Sequence, residues 1–166
     1  MTNYIVNNMS KSDKKRLALC VAIPLVTGIL SAFATKNRMA DFDLVAKPPL
    51  SPPGWVFPVV WTVLYILMGV ASYLVLSSSA YKTKIDKALM LYGVQLAVNF
   101  FWSIIFFNLG EYLFSFVCLV LLLFLVVYTA KLFFDCNKTA CYLLIPYILW
   151  IVFAGYLNFG IFVLNK

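Results

Sequence analysis

Three lines of aromatic and amide side chains carry the chemistry this chain is equipped for. At helical spacing, Trp61, Tyr65, Met68 and Ser72 share one face, Gln95, Asn99, Trp102 and Phe106 a second, and Tyr147, Trp150, Ala154 and Asn158 a third. A fourth line, Pro24, Gly28 and Ala32, is small enough to admit a neighbouring helix or a flat ligand. Indole and phenyl rings offer apolar planes on which a flat molecule stacks, and amides offer neutral donors and acceptors. Proton transfer is poorly served. The chain has no histidine, which removes histidine triads, histidine zinc sites and a proximal histidine for haem. Its six acids (Asp13, Asp41, Asp43, Asp86, Glu111 and Asp135) fall in loops or at helix ends, which disfavours a proton pump or ion-coupled transporter. There is no phosphate-cradling glycine loop and no dinucleotide fingerprint. Cys20 and Cys118 lie within apolar runs, and Cys136 and Cys141 are five apart, so the cysteines read as small apolar side chains and interfacial thiols. No metal site is expected.

The elements that position these residues follow from composition. Of 166 residues, 64% are hydrophobic and 11% charged, more apolar side chain than a soluble domain of this size can cover. The charges sit in islands between apolar runs at about 17–35, 55–77, 88–109, 112–134 and 140–164, each long enough to cross a bilayer. The predicted fold is all-α: a polytopic membrane protein made of one five-helix bundle. The first run follows "KSDKKR", like the basic start of a signal peptide, but it is long and no small-residue cleavage site follows, so it is kept as a span.

Basic residues orient the bundle. Lys11, Lys14, Lys15, Arg16, Lys82, Lys84, Lys87, Lys131 and Lys138 lie on one side; Lys36, Arg38, Lys47 and Lys166 lie on the other. This places the N-terminus in the cytoplasm and the C-terminus outside. The net charge of +7 is then membrane anchoring and attraction to anionic headgroups. No nucleic-acid partner is expected; the bilayer is.

Counting 1.5 Å per residue, Trp61 lies about 9 Å below the outer end of its span, Trp102 and Asn158 about 9–11 Å, Asn99 about 15 Å, and Trp150 near mid-membrane. Two readings of the stripes stand: ordinary helix packing with amides as interhelical glue, or a ring-walled pocket open toward the first long loop. That loop, residues 36–54, ends in "KPPLSPPG", a stiff segment with few conformations to lose on ordering. It reads as a lid over a greasy cavity or as a proline stop between spans, with Gly54 leaving room for a close turn. Trp55, Tyr73, Tyr81 and Tyr112 read as interfacial belt residues.

The segment "KPPLSPPGWVFPVVWTVLYILMGVASYLV" resembles the hallmark of the TspO/MBR family, the tryptophan-rich sensory proteins and mitochondrial translocator proteins. "LYGVQLAVNFFWSIIFF" and "LLIPYILWIVFAGYLNF" resemble the family as well, and the likeness runs from about residue 23 to the end, weakest in the fourth span. The resemblance implies a five-helix membrane protein, commonly a homodimer, that binds porphyrins, sterol-like molecules or synthetic hydrophobic ligands under the first loop. It implies a bacterial cell membrane as the location, and no required cofactor, with porphyrin or haem as ligand. Matched residue by residue, the pocket falls on Ala32, Trp61, Asn99, Trp102, Phe106, Trp150, Ala154 and Leu157. Tyr65, Gln95, Tyr147 and Asn158 join them from the helical stripes, and Pro48, Pro49 and Pro53 from the loop. The tryptophans tied to light-dependent porphyrin breakdown in some members correspond to Trp61 and Trp150, the candidate catalytic pair.

Three departures from the family pattern stand out. Leu50 replaces a loop tryptophan, Phe114 replaces a tryptophan often found early in the fourth span, and Phe159 replaces the tyrosine of a C-terminal sterol motif. Three functions therefore compete: a receptor or sensor that binds tetrapyrroles, an enzyme that degrades them with light and oxygen, and a carrier of hydrophobic molecules. Coupled alternating access has no support in an inverted repeat or a pair of broken helices.

Overall fold

The computed structural model describes residues 10–38 and 44–166. Asp41 and Asp43, and with them the middle of the first loop, lie outside the described residues. Five helices follow one another: α1 (Lys11–Thr35), α2 (Val56–Leu76), α3 (Lys82–Ile104, continued by a π-helical turn over Ile105–Leu109), α4 (Tyr112–Cys136) and α5 (Lys138–Leu164). All five are long and apolar enough to cross a membrane. The chain is an integral membrane protein.

Three helices begin before their apolar runs do. α1 starts at Lys11, where the Ser10 hydroxyl caps the turn by accepting from the Asp13 amide at 3.2 Å. α3 starts at Lys82, and α5 starts at Lys138 with Asn137 as its cap. Hydropathy marks where hydrocarbon begins, whereas a helix continues through its charged first turn, and these basic turns project beyond the apolar band.

The helices are held by close backbone approach and by buried polar contacts. A Cβ added to Gly69 would lie 2.5 Å from the Val21 Cα, so α1 and α2 touch backbone to backbone in the halves away from the first loop. One turn nearer the first loop, the Tyr65 ring lies over Gly28, leaving no room for a side chain there. Gly69 therefore serves packing within the bundle, while Ala97 on α3 faces outward. α4 and α5 form the most extensive pair, joined in the interior by Asn158 donating to the Ser115 hydroxyl at 2.7 Å.

Candidate ligand-binding site

Near the first-loop ends of α1, α2, α3 and α5 the helices part around a cavity of about 270 Å³. Its aromatic wall is one connected set of rings. Trp61 stacks on Tyr65 at 5.5 Å, lies 6.1 Å from Trp102, and meets Tyr147 edge-on at 6.1 Å; Trp102 stacks on Phe106 at 5.7 Å.

The floor is a buried hydrogen-bond relay. The Tyr65 hydroxyl donates to Asn99 Oδ1, Asn99 Nδ2 donates to the Tyr147 hydroxyl, and that hydroxyl donates to Gln95 Oε1, each at 3.0 Å. This satisfies the requirement that amides in hydrocarbon find partners, and it ties α2, α3 and α5 together. It also consumes both ends of the Asn99 amide. Asn99 is thus part of the floor rather than a polar hand held out to a guest. On the opposite wall Ser31 of α1 is bonded to Ser103 of α3.

The described part of the loop, residues 44–55, runs antiparallel along the last turns of α5. Asn165 holds both backbone groups of Ala46: Oδ1 accepts from its amide at 3.0 Å and Nδ2 donates to its carbonyl at 2.9 Å. Pro48 is buried against Gly160, where an added Cβ would lie 2.7 Å from the proline ring. The Tyr156 hydroxyl donates to the Pro49 carbonyl at 2.9 Å. Between them Ser51 bonds back to the Pro48 carbonyl through its amide, closing a turn with Leu50 at φ 66°. Such a turn usually carries glycine at that place, so Leu50 holds a backbone conformation that costs about 1 kcal/mol. The other face of this strap, through Lys47, Ser51, Pro52 and Gly54, lines the cavity. The close turn expected at Gly54 is present, with the Val56 amide donating to the Pro53 carbonyl at 3.0 Å, and open space surrounds the glycine.

Of the sequence-predicted site residues, Ala32, Trp61, Tyr65, Asn99, Trp102, Phe106, Ala154, Leu157 and Asn158 line the cavity. Gln95 and Tyr147 lie beneath it as the lower half of the relay. Pro48 and Pro49 face α5 instead of the cavity, and Pro53 is exposed, its carbonyl accepting from the Val56 amide at 3.0 Å. Phe114 is 60% exposed on the outer face of α4, which contributes nothing to the cavity.

Trp150 is the sharpest difference. It packs edge-on against Phe57 at 6.0 Å and beside Phe153, and it lines a shallow apolar groove on the outside of the α2–α5 seam. Phe57 stands between it and the cavity. Depths counted from each helix's own end misled here because the ends are staggered. Phe57, one residue inside α2, meets Trp150, fourteen residues before the end of α5, so α5 extends about three turns beyond the start of α2.

The stripes missed Ser31, Ser103, Thr35 and Thr62 in the wall and Tyr156, Gly160 and Asn165 behind the strap. Ser31 and Thr35 continue the Gly28–Ala32 line by three and four residues, a signal that was present. The α5 contacts had none, because the register of the strap on α5 is a tertiary fact.

A sequence model of the TspO/MBR family matches residues 20–164. The chain is 39% identical over 150 residues to the tryptophan-rich protein TspO of Chlorobaculum tepidum, covering 90% of this chain and 95% of that one. It is 37% identical over 137 residues to translocator protein 2 of Canis lupus familiaris (81% and 80%) and 35% identical over 124 residues to a tryptophan-rich sensory protein of Cereibacter sphaeroides (75% and 76%).

Proposed function

Because the chain belongs to the TspO/MBR family, we propose that it is a membrane receptor or sensor that holds a porphyrin, or another flat hydrophobic molecule, in the cavity between α1, α2, α3, α5 and the strap. The observation that carries this reading is the ring wall of Trp61, Trp102 and Phe106, with parallel and tilted planes lining a predominantly apolar chamber. At about 270 Å³ the chamber is at the lower limit of small-molecule sites, so a macrocycle enters in part and its remaining edge lies in the opening. Lys47 is the one cation among the described lining residues. With no histidine in the chain, a metal-free porphyrin suits the site better than a haem that needs an axial ligand. The name borne by one relative, tryptophan-rich sensory protein, agrees with a sensor role.

The same proposal includes the orientation set by the basic residues, with the strap outside, and a homodimer. Gly93 and Ala97 face outward on α3, where a second copy could approach closely. A degradative reading asks Trp61 and Trp150 to act on one guest. Phe57 separates Trp150 from the cavity, and no histidine, cysteine, aspartate or glutamate is among the described lining residues, which favours binding over breakdown.

Titration of the purified protein with protoporphyrin, following tryptophan quenching in darkness and in light, tests the proposal. Saturable quenching at micromolar ligand in the dark is expected, and quenching that grows linearly without saturation would exclude a site.

A further inference from the structure

The cavity opens sideways as well as upward. Below it, α1 and α2 are closed on each other by the Gly69–Val21 contact and by the Tyr65 ring over Gly28. Above those contacts the cavity lies between the two helices, and residues that line it on each side are themselves exposed: Ile29 (66%) and Ala32 on α1, Pro58 and Thr62 on α2. Ile29 and Thr62 each lie six residues, about 9 Å along the axis, inside the loop-side end of their helices, within spans long and apolar enough to cross a membrane. The gap is also dressed for hydrocarbon. The Thr62 hydroxyl donates to the carbonyl of Pro58 in its own helix at 2.7 Å, leaving its methyl as the outward group.

The route from water is built differently. The strap beside the cavity is held to α5 at Ala46, Pro48 and Pro49, through three hydrogen bonds and one close ring contact. Opening there breaks polar bonds; opening between Ile29 and Thr62 moves only apolar side chains against lipid.

We propose that the α1–α2 gap is a lateral mouth, through which hydrophobic ligands already dissolved in the outer half of the bilayer load the cavity, while the strap stays latched. The proposal rests on the cavity being the binding site. It implies that the protein samples the membrane-dissolved pool of its ligand rather than the aqueous one, and that a side chain narrowing the mouth slows association and dissociation together.

The test is stopped-flow mixing of protoporphyrin with proteoliposomes in the dark, read by ligand emission, for the wild type, Thr62→Trp and Asn165→Ala. Ile29→Trp repeats the block from the facing helix should Thr62→Trp fail to fold. The mouth variant is expected to slow association and dissociation alike by about tenfold, whereas Asn165→Ala stays within about twofold of wild type. Wild-type rates in both tryptophan variants, or acceleration confined to Asn165→Ala, would overturn the lateral mouth and leave the binding site standing. Absence of saturable binding in the wild type would overturn both.

Discussion

Replacing Tyr147 by Phe removes one oxygen from a fully buried position and leaves the ring that Trp61 packs against. That oxygen accepts from Asn99 and donates to Gln95, so its loss strands one donor and one acceptor in the centre of the bundle. Interhelical hydrogen bonds in membrane proteins are worth about 0.6 kcal/mol on average and about 1.7 kcal/mol at most. Two of them give an expected loss of about 1–3 kcal/mol. Tyr65→Phe removes a single bond, to Asn99 Oδ1, and should cost about half as much. Because both tyrosines share the Asn99 amide, the double variant should depart from the sum of the two by about 0.5 kcal/mol or more. The assay is reversible unfolding in mixed micelles with increasing sodium dodecyl sulfate, followed by tryptophan fluorescence. A Tyr147→Phe variant as stable as wild type, or a Tyr65→Phe variant more damaged than Tyr147→Phe, would refute the assignment of the relay as the floor that joins α2, α3 and α5.

Other outcomes follow from the same geometry. Gly69→Ala drives a methyl to within 2.5 Å of the Val21 backbone and should destabilise the protein by about 1–3 kcal/mol in the same unfolding assay, with α1 parting from α2. Asn165→Ala removes both bonds to Ala46 and should raise hydrogen exchange in residues 44–54 without changing exchange in the α3–α4 hairpin. Leu50→Gly relieves the positive φ and should stabilise the strap by up to about 1 kcal/mol, read as slower proteolysis of that segment. Trp61→Phe keeps an aromatic plane in the wall, so protoporphyrin should still bind within about tenfold of wild-type affinity; any light-dependent bleaching should be lost, and a variant that keeps its bleaching would remove Trp61 from that chemistry.

The sequence carries the bundle clearly, because lipid imposes two simple demands: apolar length between charge islands, and partners for every buried amide. Gln95 and Asn99 turned inward for the second reason, and helical spacing then placed Trp102 and Phe106 beside them. Trp61 and Tyr65 followed from the same periodicity on α2. Spacing along one helix says nothing, however, about how far its neighbour is shifted. Trp150 shares a stripe with Ala154, yet it sits outside the seam because α5 runs well past the start of α2. Phe114 belongs to a helix that the cavity never reaches. The prolines were legible as stiffness, but which of them would face the cavity was not. That depends on Pro48 finding the space on α5 left by Gly160, and on Asn165 taking hold of Ala46.

Ala154 offers the most direct test of the account, since it lines the cavity while its backbone belongs to the interior of α5. Ala154→Trp should fill the chamber from within. Titrated with protoporphyrin in the dark and read by ligand emission, the folded variant should lose saturable binding that the wild type shows. Binding of undiminished affinity in a folded Ala154→Trp protein would place the ligand somewhere else and contradict the assignment of this cavity as the site.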